Sequence, residues 1–138
     1  MKKKLDFCYL LPAAALILEI LPVSAVLVFA HPAADGTMLY ERRLYSHISG
    51  MLIGYGNFGP FLTALCTCIV LILLVIFSIT GRKGLRSGAK IVCDLAAAAS
   101  LLPLVMGGTQ LLCIGGAAVT VLLLAESILL YKAGRAQT

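Results

Sequence analysis

Long apolar stretches separated by short polar segments are the dominant pattern along this chain. Four of them approach the length of a membrane-crossing helix, at about residues 7–30, 61–80, 89–106 and 109–131. A crossing needs about 20 predominantly apolar residues. Backbone amides in lipid must be paired within their own segment, so each stretch is expected to be helical. The pattern predicts an all-α, four-helix membrane bundle, with residues 1–138 forming a single domain.

The segments between these stretches differ in character. Residues 31–60 are polar and rich in glycine, residues 81–90 are basic, and Gly107-Gly108 predicts a tight turn between the last two helices. Within the first segment, apolar residues recur at helical spacing at Leu44, Ile48, Met51 and Leu52. This spacing predicts a short amphipathic helix on the membrane surface. Residues 31–60 are therefore predicted to form a short, partly ordered external loop.

Composition agrees with a membrane location. The chain is 61% hydrophobic and 12% charged, with a mean hydropathy of +1.03. Soluble domains are roughly 45–50% apolar and about 25% charged. The excess apolar surface needs lipid as its solvent, so the bilayer is the expected partner. The net charge of +5 comes from basic residues that flank apolar stretches, and no nucleic-acid partner is expected.

The distribution of basic residues predicts the orientation in the membrane. Arg42 and Arg43 lie in the 31–60 segment, and the other nine basic residues lie on the opposite side of a four-crossing arrangement: Lys2, Lys3, Lys4, Arg82, Lys83, Arg86, Lys90, Lys132 and Arg135. Cytoplasmic segments carry the excess of lysine and arginine. Both termini and the 81–90 loop are therefore predicted to be cytoplasmic in a multi-pass cell-membrane protein.

An alternative interpretation applies to the first 30 residues. Three lysines, an apolar run and Val28-Phe29-Ala30 together resemble a cleavable secretory signal. The apolar run is longer than the 7–15 residues of a signal core, and it contains Glu19, Pro12 and Pro22. Cleavage would leave three helices and an external N-terminus.

Glu19 is the first candidate for a functional side chain. With helix one running over residues 7–30, it lies roughly 18 Å into the span, near the midplane. Ionisable groups at that depth are costly and are functional candidates. One interpretation is proton or cation coupling. The other is a neutral carboxyl that bonds a neighbouring helix or a carbonyl freed by Pro22.

Two further acidic residues occur in predicted spans. Asp94 follows Lys90 by four residues, which predicts an ion pair on one side of the helix at the membrane interface. Glu126 precedes Lys132 by six residues. We expect Glu126 to extend toward the cytoplasmic surface or to pair with Arg82, Lys83 or Arg86.

The five cysteines all fall in apolar stretches: Cys8, Cys66, Cys68, Cys93 and Cys113. Thiolates select soft metals such as Cu(I), and His47, Met51 and Met106 could add ligands near the outer face. The C-x-C spacing of Cys66 and Cys68 differs from the C-x-x-C of dithiol redox centres. These cysteines are expected to act as small apolar residues, without a bound metal or other cofactor.

The external segment carries the most individual surface. Aromatic rings there suit the membrane interface, and His47 is a polar candidate beside them. The candidate surface residues are Tyr45, His47, Tyr55, Asn57 and Phe58. Pro60 stands at the start of predicted helix two, where its missing amide costs nothing.

Two short motifs resemble known membrane families. The stretch G-Y-G-N-F-G-P at residues 54–60, followed by F-L-T-A at residues 61–64, resembles small four-helix bacterial membrane proteins that carry G-Y-x-N-F-G-P before helix two. That resemblance implies a fold but no activity. The L-I-L-E-I stretch at residues 16–20 is more weakly similar to the first helix of small multidrug resistance transporters. This second resemblance implies a proton-coupling role for Glu19.

No catalytic motif occurs in the sequence. The chain is predicted to be a non-enzymatic accessory or structural membrane component, acting as a homo-oligomer or with a partner membrane protein. The first alternative is a cation-coupled small-molecule transporter that works as an oligomer through Glu19. The second is a membrane thiol or copper-binding protein.

Overall fold

The computed structural model describes residues 2–135, with side chains described from Cys8 to Gly134. The molecule is mostly helical and contains one two-stranded sheet. The side chains of Lys2, Lys3, Lys4 and Arg135, which enter the charge count, lie outside the described side chains. Within the described residues, three helices are long and apolar enough to cross a membrane, and a fourth apolar helical stretch, Cys8–Ile20, is shorter.

The first helix, α1, runs over Lys2–Ile20 and does not continue to residue 30. The prediction of one helix over residues 7–30 is wrong in its second half. Pro22 has no amide proton to continue the helical ladder, and the Ser24 hydroxyl contacts the carbonyl oxygens of Glu19 and Leu21, each at 3.2 Å. These contacts end the helix. The residues that follow are rich in valine, which favours extended structure.

A β-hairpin replaces much of the expected external loop. Strand β1, Ala25–Pro32, pairs antiparallel with strand β2, Met38–Tyr45, in a register that places Ala25 opposite Tyr45 and Pro32 opposite Met38. Gly36 supplies the positive φ of 82° that the connecting turn requires. Asp35 accepts hydrogen bonds from the amide and hydroxyl of Thr37, at 3.0 and 2.6 Å, and so stabilises the turn.

The predicted amphipathic helix is present only in part. Leu44 lies in β2, Ile48 precedes the helix, and the helix itself, α2, spans Gly50–Gly54. Leu52 of α2 is fully buried against Ala25 and Leu27 of the hairpin. This small cluster holds α2 to the sheet.

Three long helices complete the molecule: α3, Phe58–Thr80; α4, Lys83–Gly107; and α5, Ile114–Arg135. They cover the three predicted spans at residues 61–80, 89–106 and 109–131 with shifted ends. The 81–90 loop is largely helical, because α4 begins at Lys83 and Gly81, with φ 66°, ends α3. Gly107 ends α4 at the expected turn, and Gly108 begins a short 3-10 helix, Gly108–Leu111.

The main core lies where α1, α3, α4 and α5 pack together. Small residues bring the helices close: Ala89, Ala96, Ala97 and Ala99 of α4 are all buried. A Cβ atom at Gly59 of α3 would lie 3.0 Å from the carbonyl oxygen of Ala99, so α3 and α4 touch at this glycine. Such small interfaces suit helices in lipid, where no hydrophobic drive exists between them.

Candidate functional site

Glu19 lies in the last turn of α1, beside the hairpin, and is fully buried at 0% exposure. This differs from the expected position at the centre of a long first helix, because α1 ends one residue later. The Thr67 hydroxyl of α3 lies 2.8 Å from Glu19 Oε1 and 3.0 Å from the carbonyl oxygen of Thr63. The side chain therefore links α1 to α3.

The contacts of Thr67 bear on the protonation of Glu19. A hydroxyl has one proton, so Thr67 cannot donate to both Glu19 Oε1 and the Thr63 carbonyl. If the Glu19 carboxyl is neutral, it donates to Thr67 Oγ1, and Thr67 donates to Thr63. That arrangement satisfies both contacts. Glu19 Oε2 is buried and has no hydrogen-bond partner among the described residues.

The backbone carbonyl of Glu19 ties α1 to both ends of the hairpin. It accepts a hydrogen bond from the His47 amide at 2.8 Å and contacts the Ser24 hydroxyl at 3.2 Å. Ser24 leads into β1, and His47 follows β2. The end of α1 therefore fixes where the hairpin enters and where it leaves.

His47 is buried at 2% exposure, and its Nδ1 lies 2.7 Å from Ser24 Oγ. Burial lowers the pKa of His47 from its ordinary value of 6.5 to about 4, so the ring is neutral at pH 7. Ser24 can bond the carbonyl oxygen of Glu19 or Leu21 only by donating its single proton, so His47 Nδ1–H donates to Ser24 Oγ whenever either of those bonds is made. Nε2 then is an acceptor, and it has no hydrogen-bond partner among the described residues.

A cavity of about 250 Å³ adjoins this network. Its wall is formed by the start of β1, the beginning of α3, the end of α4 and the beginning of α5. Ser24, His47, Asn57, Ser100, Cys113 and Thr120 supply its polar side chains, and the rest of the lining is apolar or glycine. No Asp, Glu, Lys or Arg lines it within the described part of the chain.

Asn57 immediately precedes α3 and lines the cavity. An asparagine at this position ordinarily accepts a hydrogen bond from the amide two or three residues later. Here it makes no such bond, and the residue three positions on is Pro60, which has no amide proton. Asn57 is 7% exposed, and neither Oδ1 nor Nδ2 has a hydrogen-bond partner within the described structure.

The start of α5 is docked on the hairpin beside the cavity. The Cys113 thiol donates to the Ser24 carbonyl at 3.1 Å, and Arg42 of β2 donates to the Leu112 carbonyl at 2.7 Å. A Cβ atom at Gly115 would collide with the carbonyl oxygen of Val23. Glycine is required there because two backbones meet.

The predicted site residues of α4 and α5, Lys90, Asp94 and Glu126, do not line this cavity. Lys90 Nζ is 2.6 Å from Asp94 Oδ2, four residues along α4, and Ser127 of α5 also donates to Asp94. Glu126 differs from the expectation that it would reach the surface or pair with a cation. It is fully buried, and neither carboxyl oxygen has a hydrogen-bond partner among residues 8–134.

Only some of the residues predicted to form the external surface are exposed in the structure. Tyr55 and Phe58 are exposed, at 61% and 56%, and Tyr45 is half-buried. The Tyr55 ring meets Phe29 of β1 edge-on, with centroids 5.1 Å apart. His47 and Asn57 are buried, so the prediction of a surface position is wrong for these two, because the hairpin and the ends of the helices cover them.

The cysteines do not gather at one place. Cys66, Cys8 and Cys93 are buried, and Cys68 and Cys113 are half-buried. Cys93 donates to the Leu123 carbonyl at 3.2 Å, as an ordinary contact between α4 and α5. Among the described residues, no group of three or more His, Cys, Asp or Glu side chains could hold a metal ion.

Ser24, Thr67 and Cys113 are the site residues that sequence reasoning missed. For Thr67 a signal exists: Thr63 and Thr67 are spaced by one helical turn in an otherwise apolar stretch. Ser24 follows Pro22, in a pattern typical of a turn. For Cys113 the sequence offers no such signal, since its contact depends on the path of the hairpin.

Comparison of the chain with protein-family models, with curated proteins and with solved structures gave no match. The two family resemblances seen in the sequence stay predictions.

Proposed function

We propose that this chain is a four-crossing integral membrane protein that acts as a non-enzymatic accessory or structural component. Support comes first from the outward faces of the three long helices. Large apolar side chains are exposed along them, among them Ile79, Val105 and Ile114 at 79%, 79% and 91%. Exposed apolar surface of this extent requires contact with lipid or another membrane protein.

The fourth crossing is α1. The helix Lys2–Ile20 extends roughly 28 Å at 1.5 Å per residue, and its apolar part, Cys8–Ile20, accounts for roughly 20 Å of this, so α1 would be the shortest of the four crossings. The Tyr9 hydroxyl donates to the Leu74 carbonyl at 3.1 Å, and Glu19 contacts Thr67. These two contacts align α1 antiparallel to α3 along its length.

The distribution of charge supports an orientation. Arg82, Lys83, Arg86 and Lys90 lie around the junction of α3 and α4, and the hairpin packs at the other ends of these helices. The positive-inside rule then places both termini in the cytoplasm and the hairpin outside. In this orientation the hairpin is the surface available to an external partner.

The observation that carries the accessory or structural role is what Glu19 contacts. Its side chain bonds Thr67, and its backbone carbonyl bonds His47 and Ser24, so its polar groups join α1, α3 and the hairpin. A carboxyl used in this way fixes helix packing. Flux through Glu19 would require those contacts to break.

A proton-flux assay tests the proposal. The purified protein is reconstituted into liposomes that contain the pH dye pyranine, with valinomycin and potassium to balance charge. An imposed pH gradient should decay at the same rate in these liposomes as in protein-free ones. Glu19→Gln should behave identically and remain folded, because a glutamine amide can donate to Thr67 Oγ1.

The second candidate is a cation-coupled transporter. The observation that favours it is the unpartnered oxygen of Glu19 together with both oxygens of Glu126, all buried. Buried ionisable groups in a membrane mark ion pathways. Faster decay with the wild-type chain, lost in Glu19→Gln but retained in Glu126→Gln, would establish this candidate and overturn the structural role of Glu19.

A further inference from the structure

The cavity between the hairpin and the ends of α3, α4 and α5 has the composition of a binding site for a small molecule. Such sites are concave and mostly apolar, with a few convergent polar groups. Here the apolar wall includes Val26, Leu101, Leu104 and Val121. Four of the six polar side chains of the cavity bond groups of the chain itself: Ser24, Ser100, Cys113 and Thr120. The other two are Asn57 and His47, which keep unpartnered hydrogen-bonding atoms within the described structure.

Asn57 is the strongest pointer to a ligand. Asn57 is 7% exposed and is among the residues that line the cavity, and both polar atoms of its side chain are buried without a hydrogen-bond partner in the described structure. Buried amides are ordinarily satisfied, and leaving one unpaired is unfavourable. Asn57 also makes no capping bond at the start of α3. Its amide group remains able to donate and accept at the same time.

His47 adds a second hydrogen-bonding position on the same wall. Its Nδ1 is engaged by Ser24 Oγ at 2.7 Å, and its Nε2 is left as an acceptor. A ligand that satisfies both residues must offer donors to His47 Nε2 and Asn57 Oδ1 and an acceptor to Asn57 Nδ2.

Charge and size restrict the ligand further. No charged side chain lines the cavity among the described residues, so an ionic ligand would be desolvated without compensation. The volume of about 250 Å³ lies just below the usual range for drug-sized ligands and suits a molecule of about one aromatic ring.

We propose that this cavity binds a compact uncharged molecule with an apolar body and a polar head that both donates and accepts hydrogen bonds, a primary carboxamide being the simplest case. Asn57 pairs with the head through two hydrogen bonds, and His47 accepts a further one. The apolar wall holds the body. This role is additional to the membrane component proposed above and does not depend on Glu19.

Three probes of one shape test the ligand class in the full chain, purified in detergent: 4-fluorobenzamide, 4-fluorobenzoate and 4-fluorotoluene. The ¹⁹F line broadening of each is measured against empty micelles, which corrects for partition into detergent. We expect broadening above the micelle background for the amide, and none for the anion or the apolar probe. Equal broadening of the amide and the toluene, or no broadening of the amide, would overturn the proposal.

The same titration in variants locates the site. Asn57→Leu should weaken amide binding by about tenfold or more, since two hydrogen bonds are lost. Gln110→Leu is the matched control, because it removes an exposed carboxamide at the same end of the molecule, outside the cavity lining. Amide binding that survives Asn57→Leu would overturn the proposal.

A second variant and a second readout guard against simple misfolding. Ala117→Phe keeps every polar group but fills the cavity, and it should also abolish amide binding. A ligand-binding asparagine that lacks a partner destabilises the free protein, so Asn57→Leu should melt at or above the wild-type temperature. A lower melting temperature, with amide binding intact, would mean that Asn57 is a packing residue and would refute the proposal.

Discussion

A few buried polar side chains hold the hairpin to the helices. Glu19, Ser24 and His47 form a continuous set of contacts at the end of α1, and Thr67 extends it to α3. Unpaired polar groups are costly where water is excluded, so each contact in this set is a condition for the local fold. A single substitution in this set should therefore destabilise the packing of the hairpin on the ends of α1 and α3.

The contact between Glu19 and Thr67 yields the first stability prediction. Thr67→Val removes the hydroxyl at constant volume and leaves a buried carboxyl unpartnered, so the free energy of unfolding should fall by about 1–3 kcal/mol. Thermal unfolding followed by circular dichroism in detergent measures the change. Thr80→Val is the matched control, because Thr80 is an exposed threonine on the same helix that bonds only the Ile76 carbonyl. A Thr67→Val variant as stable as this control would refute the contact.

His47 makes the stability of the packing between the hairpin and the helices depend on pH. Its pKa in the folded protein is about 4, below the ordinary 6.5, because burial disfavours the charged ring. The unfolded chain then binds the proton more readily, so the contribution of neutral His47 to stability is complete above pH 6.5 and is lost as pH falls toward 4. The melting temperature of the wild type should therefore fall relative to that of a variant without His47 over this window.

Two histidine variants test that dependence. His47→Gln should lose less stability than the wild type between pH 6.5 and 4, while His31→Gln should follow the wild type because His31 is exposed at the far end of β1. A curve that keeps its slope in His47→Gln would assign the dependence to other groups. Asp35 and Glu41 of the hairpin have lowered pKa values, owing to hydrogen bonds from Thr37 and Arg43 respectively. Their contributions to stability are lost as pH falls below their ordinary values of 3.8 and 4.5, at the lower end of this window.

Sequence reasoning identified Glu19 at the residue scale but placed His47 and Asn57 wrongly on the surface. A carboxyl inside an apolar stretch is visible in one sequence because it breaks a composition rule. A histidine or asparagine in a polar segment breaks none. His47 and Asn57 are buried because the hairpin packs over them, and the residues next to them in the sequence do not predict that packing.

At the scale of elements, the division of residues 7–30 between helix and strand was the main feature missed. An apolar run gives the same hydropathy whether it is a helix or a covered strand. The signals that separate the two were local: Pro22 and Ser24 as a turn, then valines, then Asp35-Gly36 between two apolar segments. An Asp-Gly pair in that setting is a hairpin signal. The three later helices were predicted because each apolar run approaches the length of a membrane crossing and backbone amides in lipid must be paired within their own segment.

Close packing of α5 on the hairpin entry depends on Gly115. Gly115→Ala should lower the melting temperature, since its Cβ would meet the Val23 carbonyl oxygen and the rigid backbone must shift, at about 1–3 kcal/mol. Gly84→Ala in α4 is the control. Nothing lies within 4 Å of a Cβ there, and alanine favours helix by roughly 0.5–1 kcal/mol, so this variant should be slightly more stable. Equal effects of the two substitutions would mean that α5 does not approach the hairpin so closely.

At the scale of the whole molecule, the structure bears on the alternative of signal cleavage after Ala30. Cleavage there would remove α1 with Glu19 and most of β1, including the buried Ala25, Val26 and Leu27. The main core would lose Cys8 and Ala15 as well. We therefore expect the intact mass of the purified protein to include residues 1–30. A mass that begins after Ala30 would remove the site described here.

The two ends of the molecule are chemically distinct, and this polarity underlies the proposed orientation. One end carries the hairpin, α2 and the cavity; the other carries the basic residues around the junction of α3 and α4 and at the end of α5. The positive-inside rule converts that difference into a direction across the bilayer. Membrane insertion with the hairpin outside is the central claim, since it decides which surface of the molecule an external partner would meet.

Cysteine labelling in intact cells tests this claim most directly. Asp35→Cys places a thiol at the exposed hairpin turn, and Gly84→Cys places one in an open position at the basic end. A membrane-impermeant maleimide is added before and after permeabilisation, with the wild-type chain giving the background from its own cysteines. We predict that Asp35→Cys is labelled in intact cells and that Gly84→Cys is labelled only after permeabilisation. The opposite pattern, or labelling of both variants in intact cells, would contradict the proposed orientation.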